Sequence, residues 1–275
     1  MGSSPPIPEP EILPPGTGYI PPPQQPVRRR PRFSWATSPA TYFLVGVNCA
    51  VFLAMVVHGI SPMSPTPDQL LQCGADNAGA VLLYGEWWRI VTAMFVHVGI
   101  IHLATNMWCL WNLGLLAEPL MGSAGVLAAY ILTGAAGNLL STLVNWLMYH
   151  NSGAFAVGAG ASGAVFGLAG VLIILLKSPR LPVPQQELRG LRKSVIYFAA
   201  INLLIGVSTM IPGSLIRIDN MAHLGGFSSG LLFAMPLVPR LGSPRKLFES
   251  RRRMAVLMLV GLLVLFGFYL AKLAG

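Results

Sequence analysis

Long apolar stretches separated by short polar segments make up most of the chain. Seven of them reach the roughly 20 mostly apolar residues that a membrane-spanning helix needs. They lie at residues 40–59, 102–120, 124–147, 159–177, 194–212, 220–238 and 254–272. The pattern therefore predicts an all-α, polytopic membrane protein with seven spans.

The segment between the first two spans departs from this simple alternation. After a polar piece, the chain becomes apolar again at Ile90 and stays so to Leu120. These 31 residues are too long for one straight crossing. Gly99 lies within this stretch and could interrupt the helix. We therefore expect a loop that lies partly in the membrane, followed by the true span.

The two ends of the apolar region differ from it in composition. Residues 1–39 are rich in proline and cannot bury enough apolar surface to fold, so we expect a disordered cytoplasmic tail. Six spans occupy residues 40–238, and a basic cytoplasmic loop is predicted at 239–253. A seventh transmembrane helix is predicted at 254–275.

The basic residues indicate the orientation of the spans, because Lys and Arg concentrate in cytoplasmic loops. Fifteen of the 18 fall before span one, between spans four and five, or between spans six and seven. The three exceptions, Arg89, Arg217 and Lys272, all fall on the opposite side. The N-terminus is therefore predicted to be cytoplasmic and the C-terminus to be outside.

The overall composition excludes several classes of protein. Only 10% of the residues are charged, and the mean hydropathy is +0.64, which argues against a soluble globular domain. The net charge of +9 sits in loops and not on a folded basic face, so no nucleic-acid partner is predicted. The three cysteines, Cys49, Cys73 and Cys109, are widely spaced and indicate neither a disulfide framework nor a metal site.

Four polar side chains fall at one depth of the predicted membrane. His102 and Asn106 open span two, Ser162 lies near the start of span four, and His223 lies near the start of span six. These three spans run in the same direction, from outside to inside. The four residues are therefore expected just below the outer surface, where ionisable groups within spans usually mark function.

This set of side chains matches the requirements of acyl transfer. A serine hydroxyl becomes a nucleophile beside an imidazole base, which assigns Ser162 and His223 as candidate catalytic residues. His102 and Asn106 share one helix face and can donate to an oxyanion, as can the Ser162 N–H. Small residues would let spans four and six approach closely, and the pairs Gly163/Gly167 and Gly226/Gly230 have the required spacing.

Taken singly, the same residues have simpler explanations. A serine in a membrane helix commonly bonds a backbone carbonyl, and His223 alone would suit a structural role or a proton path. A transporter is therefore an alternative, although its polar groups usually lie near the midplane among internal repeats. Asp219, four residues before His223, raises the further possibility of a Ser-His-Asp triad.

Four motifs together resemble the rhomboid family. They cover residues 40–238 in the family's order and read Gly160-Ala161-Ser162-Gly163 (G-x-S-G), His102 to Asn106 (H-x-x-x-N), Trp88-Arg89, and Ala222-His223-Leu224-Gly225-Gly226 with Gly230. Phe166 falls where members commonly carry an aromatic ring that stacks on the histidine. The seventh C-terminal span resembles the six-plus-one type.

The resemblance implies a six-helix catalytic core with a Ser162–His223 dyad and an oxyanion site at His102 and Asn106. It implies an intramembrane serine endopeptidase that cleaves transmembrane protein substrates among membrane lipids, without metal or organic cofactor. We expect a multi-pass protein of a bacterial cytoplasmic membrane with its active site towards the outer face. The main rival is an inactive relative that binds transmembrane clients, but such relatives typically lack the serine or the histidine.

Overall fold

Helices form nearly all of the regular structure in the computed structural model, which describes residues 38–178, 181, 184–208, 218–238 and 244–275. In chain order the elements are α1 (Pro39–Val57), α2 (Pro67–Gln72), β1 (Asp76–Asn77), α3 (Ala78–Leu82), α4 (Arg89–Thr92), α5 (Ile100–Met121), α6 (Ser123–Tyr149), β2 (Val157–Gly158), α7 (Ser162–Leu175), α8 (Gln185–Ser208), α9 (Asn220–Ala234) and α10 (Arg245–Ala274). The tail predicted at 1–39 lies outside these residues except for Ser38 and Pro39.

Five helices are long and apolar enough to cross a membrane: α1, α5, α6, α8 and α10. Each of the five overlaps a predicted span, although α8 begins at Gln185, before the predicted 194–212, and residues 209–212 of that span lie outside the described part of the chain. Helices satisfy their own backbone polar groups, which lets them pass through hydrocarbon without water. The prediction of an all-α, multi-pass membrane protein is confirmed.

The two remaining predicted spans contain shorter helices. Helix α7 has 14 residues and α9 has 15, against 19 residues in each of the predicted stretches 159–177 and 220–238. The difference has a physical reason, because α7 is buried along most of its length by other helices. Backbone that is enclosed by protein need not be helical at membrane depth.

The segment between α1 and α5 is held by one buried arginine. Arg89 Nη1 donates to the carbonyl oxygens of Leu71 at 2.6 Å and Ala75 at 2.9 Å, and its Nε pairs with Glu86. Gly99 has a φ of 135°, and α5 begins at the next residue. The predicted break at Gly99 is therefore where the irregular segment ends.

Two-residue strands connect this segment to the region in front of α7. Strand β1 pairs antiparallel with β2, so that Asp76 faces Gly158 and Asn77 faces Val157. Because β2 lies shortly before Ser162, the pairing fixes the approach of the chain to α7.

Helix α7 lies at the centre of the main hydrophobic core. Ala164, Leu168 and Leu172 are fully buried there, together with residues from α1, α5, α6 and α9. The core thus sets the position of the first residue of α7, Ser162.

Glu118 joins α1 to α5 at one end of the bundle. Its carboxylate accepts hydrogen bonds from the Ala40 and Thr41 N–H groups at 2.8 and 2.9 Å, and from the hydroxyls of Thr41 and Ser123 at 2.7 Å. The side chain is buried, and four donors surround it. Glu118 therefore supplies the N-terminal cap that α1 lacks, since Ser38 makes no side-chain cap of its own.

The last helix begins earlier than predicted. We expected a basic loop to residue 253 and a helix from 254, but α10 starts at Arg245. Arg245 pairs with Glu249 one turn later at 2.6 Å, and Arg252 donates to the Met121 carbonyl oxygen at 3.3 Å. Part of the basic stretch is thus a helical extension that contacts the α5–α6 turn.

Candidate active site

Ser162 is the first residue of α7 and follows a strained turn. Gly160 has a φ of 128°, a conformation that favours glycine, and its N–H donates to the Ala93 carbonyl oxygen at 2.9 Å. A methyl group added at Gly160 would lie 2.6 Å from Cε1 of His102. Position 160 therefore requires glycine for two reasons: the backbone conformation disfavours other residues, and the His102 imidazole leaves no room for a side chain.

The helix start gives Ser162 a favourable electrostatic setting. N–H groups of a helix's first turn have no partner within the helix, and the helix dipole adds partial positive charge there. Ser162 itself is half-buried. A negative charge that develops beside its hydroxyl would be stabilised by these groups.

His223 lies in the first turn of α9 and is held by an aromatic ring. Its imidazole stacks on Phe166, with centroids 4.2 Å apart and planes 11° from parallel. The side chain is 5% exposed, and its Nδ1 has no hydrogen-bond partner among the described residues. Stacking and burial therefore fix the plane of the imidazole.

Glycines bring α7 and α9 into backbone contact. A methyl group added at Gly226 would overlap the Gly163 carbonyl oxygen, and one added at Gly230 would overlap that of Gly167. The two pairs predicted from spacing thus face each other across the helices. Such close approach is the usual effect of small residues in membrane helices.

His102 and Asn106 lie on one face of α5, beside the turn that precedes Ser162. The Val98 N–H donates to His102 Nδ1 at 3.4 Å, and the Asn106 amide donates to the His102 carbonyl oxygen at 2.9 Å. Asn106 is 6% exposed, and its amide has a second N–H to donate.

The site thus draws on three helices that are distant in sequence. Ser162 comes from α7, His223 from α9 and His102 from α5, and the shared contacts are at Gly160 and Phe166. The arrangement offers a half-buried hydroxyl, a buried imidazole and several N–H donors. These are the groups that acyl transfer needs.

Asp219 does not contact the His223 imidazole. Its Oδ1 accepts from the Ala222 N–H at 2.9 Å, and its Oδ2 accepts from the Ser141 hydroxyl at 2.5 Å. Both carboxylate oxygens are therefore occupied by other donors. The triad alternative finds no support in this geometry.

The sequence did not indicate one group of residues near the site. It is the set of hydroxyls and carboxyls around Asp219, which includes Asp76, Ser141 and Thr142. Asp76 precedes the apolar segment, and the hydroxyls lie within span three, so no spacing rule connects them.

An apolar cavity of about 480 Å³ opens beside His223 between α7, α8 and α9. Lys177 lies in its lining, and every other lining residue besides His223 is apolar: Phe166, Ile173, Ile174, Ile196, Ala199, Ala200, Leu203, Leu224, Phe227 and Leu231. The cavity can therefore accept hydrocarbon side chains next to the imidazole.

Metal chemistry has no evident ligand set in this region. Among the described residues, no three His, Cys, Asp or Glu side chains come together in a way that could hold a metal ion. The polar groups of the site are those that act in serine and histidine chemistry.

Comparison with known proteins identifies the family. Residues 84–240 match the family model described as the Rhomboid domain. The chain is 31% identical over 229 residues to rhomboid protease GluP of Bacillus subtilis, covering 83% of this chain and 40% of that protein. It is 30% identical over 222 residues to rhomboid protease AarA of Providencia stuartii, covering 77% of each.

A plant protein, RHOMBOID-like protein 1 of Arabidopsis thaliana, is 32% identical over 182 residues, which are 66% of this chain and 42% of that protein. The chain thus spans well under half of the length of the Bacillus and Arabidopsis proteins and about three quarters of the Providencia protein. The match to the domain covers more than half of the chain. The chain belongs to the rhomboid family.

Proposed function

We propose that this protein is an intramembrane serine endopeptidase that hydrolyses peptide bonds in or near transmembrane segments of other membrane proteins. Two contacts near the N-terminus of α7, where Ser162 lies, support the proposal: His223 stacks on Phe166 of α7, and His102 packs against Gly160. Membership of a family with relatives named rhomboid proteases supports the same activity.

In the first step, His223 takes the Ser162 proton while Ser162 Oγ attacks the carbonyl carbon of the scissile peptide. A tetrahedral intermediate forms, and its oxyanion accepts hydrogen bonds from the Ser162 N–H, His102 and Asn106. The C–N bond then breaks, and His223 gives its proton to the leaving amine. Phe166 keeps the imidazole oriented through both transfers.

Water completes the reaction. His223 removes a proton from water as the oxygen attacks the acyl-enzyme, and the ester bond to Ser162 breaks with return of the proton to Oγ. The products are a carboxylic acid and an amine. The residues of this chain supply all the proton transfers.

The cavity beside His223 favours a substrate with apolar side chains. Its walls come from α7, α8 and α9 and carry a single charged group, Lys177. A transmembrane segment offers such side chains, and it must unwind locally to present a carbonyl. We therefore assign transmembrane proteins as the substrate class.

The distribution of basic residues supports the orientation of the site. With the N-terminus in the cytoplasm, Ser162, His223 and His102 lie towards the outer face of the membrane, where water is near. We place the protein in a bacterial cytoplasmic membrane in this orientation.

Cleavage by the reconstituted protein tests the proposal. The protein would be placed in liposomes with a reporter transmembrane substrate, with and without prior treatment with a fluorophosphonate. We expect cleavage that the fluorophosphonate blocks and that a metal chelator leaves unchanged. If the folded protein binds the reporter and neither cleaves it nor takes up the fluorophosphonate, binding of transmembrane clients becomes the better explanation.

A substitution in α5 tests the oxyanion assignment. We expect His102→Ala to lower kcat by about a hundredfold to a thousandfold with little change in KM, because its donor acts mainly on the transition state. His150→Ala serves as the control, since that histidine is exposed and its ring nitrogen bonds the Trp146 carbonyl oxygen of the preceding helix. A change confined to KM would remove His102 from the oxyanion site.

A further inference from the structure

Two carboxyl groups lie near Gly158, four residues before Ser162. Asp76 of β1 and Asp219 at the start of α9 both face Gly158: a methyl group added there would lie 3.6 Å from Asp219 Oδ2 and 4.0 Å from Asp76 Oδ2. Adjacent hydroxyls of α6 donate hydrogen bonds to them. Ser141 donates to Asp219 Oδ2 at 2.5 Å, and Thr142 donates to Asp76 Oδ2 at 3.0 Å. We call Asp76 and Asp219 the carboxyl pair.

Each member of the pair is attached to a different part of the catalytic apparatus. Asp219 caps α9 through the Ala222 N–H, and its carbonyl oxygen accepts from the His223 N–H at 3.1 Å. Asp76 pairs with Gly158 in the ribbon that leads to Ser162. A change in the distance between the two carboxyls would therefore move His223 relative to Ser162.

The surroundings of Asp76 do not suit a second negative charge. Asp76 is 4% exposed, and its Oδ1 is buried without a hydrogen-bond partner. The charged groups that interact with it are Asp219 and Arg89, and the Arg89 guanidinium is already bonded to Glu86 and two carbonyl oxygens. An ionised Asp76 would thus face Asp219 in a dry environment with little compensation.

We propose that Asp76 is a positioning residue that works in its protonated form, so that the carboxyl pair holds one proton and keeps α9 close to the strand before Ser162. Loss of that proton drives the two carboxylates apart and separates His223 from Ser162. The inference rests on the proposed protease function. Deprotonation of Asp76 would therefore lower the activity at alkaline pH, independently of any titration of Ser162 or His223.

The titration of Asp76 sets the pH range. Burial, and to a smaller extent the neighbouring charge of Asp219, raises the pKa of Asp76 to about 7, against the lowering effects of the Thr142 hydroxyl, the Asn77 N–H and Arg89. The folded protein then binds more protons than the unfolded chain between about pH 4 and pH 7. Stability therefore falls as pH rises through this range and levels off above it.

The pH profile of kcat for the reconstituted full chain tests the proposal. We expect wild-type kcat to fall at least about fivefold between pH 6.5 and 8.5, and Asp76→Asn to lack this alkaline limb. Asp219→Asn removes the neighbouring charge and should move the limb to lower pH. Thr142→Val removes a donor to ionised Asp76 and should move it to higher pH.

Opposite shifts from two neighbouring substitutions would not follow from a merely structural role. The control is Asp68→Asn, since Asp68 is exposed in the first turn of α2. Its profile should match the wild type. If Asp76→Asn does not fold, the opposite shifts of the other two variants decide the matter in the same way.

Failure of the carboxyl-pair proposal can be distinguished from failure of the protease proposal. Cleavage with superimposable profiles in wild type, Asp219→Asn and Thr142→Val would overturn the carboxyl-pair proposal and leave the protease proposal intact. Absence of cleavage at every pH would overturn the protease proposal and the positioning role with it. The thermal midpoint between pH 4 and 7 would then still report whether Asp76 holds a proton.

Discussion

Replacing Ser162 with alanine abolishes both cleavage of a transmembrane reporter and labelling by a fluorophosphonate. The expected loss in kcat is at least about a thousandfold, because no other hydroxyl takes the place of Oγ at the start of α7 and covalent catalysis is lost as a whole. The fold should be retained, since Ser162 is half-buried and alanine is a good helix former. Gel-based labelling and cleavage assays at equal amounts of folded protein measure the effect.

A matched control is available on α9. Ser229 is buried, and its hydroxyl donates to the Gly226 carbonyl oxygen of its own helix at 2.9 Å. Ser229→Ala should keep most of the activity, whereas His223→Ala should lose cleavage as Ser162→Ala does. Cleavage that survives in Ser162→Ala would mean that another residue is the nucleophile.

The second large effect is expected from one added methyl group. Gly226→Ala places a Cβ where the Gly163 carbonyl oxygen of α7 lies, so the helices must separate. Overpacking of this kind costs about 1 to 3 kcal/mol of stability. The effect on catalysis should be larger, about a hundredfold in kcat, because it displaces His223 from Ser162 by a distance on the order of 1 Å.

The comparison with Gly261→Ala isolates the steric cause. Gly261 lies in α10 with no atom within 4 Å of an added Cβ, so its substitution should leave activity unchanged and the thermal midpoint equal or higher. Thermal unfolding in detergent and kcat should be measured for both variants. Equal behaviour of the two would contradict backbone contact between α7 and α9 as the basis of the site.

The main outline of the fold and the candidate residues could be read from the sequence because membrane helices have a strong length requirement. Span three at 124–147, for example, coincides with α6 at Ser123–Tyr149. The four polar residues at one depth were also visible, since polar side chains are costly in hydrocarbon. Their catalytic roles stay predictions until the substitutions are made.

The sequence could not reveal features that depend on packing between distant segments. Helix α7 is shorter than the predicted span because the residues that flank it are equally apolar but not helical. Neighbouring helices enclose this region, so the chain in front of Ser162 need not be helical. The start of α10 at Arg245 was missed because charged residues end an apolar run without ending a helix. Asp76 and Asp219 both lie near Gly158 because β1 pairs with β2 and α9 begins beside that strand, and contacts between such distant segments leave no local pattern.

The attachment of α1 to Glu118 has a consequence for how the protein is made. The Ala40 N–H finds its acceptor 78 residues later in the chain, at the far end of α5. While the ribosome is still adding those residues, the beginning of α1 lacks its cap and must be solvated at the membrane surface. Docking of α1 through this contact therefore waits for the synthesis of α5, although α1 leaves the ribosome before it.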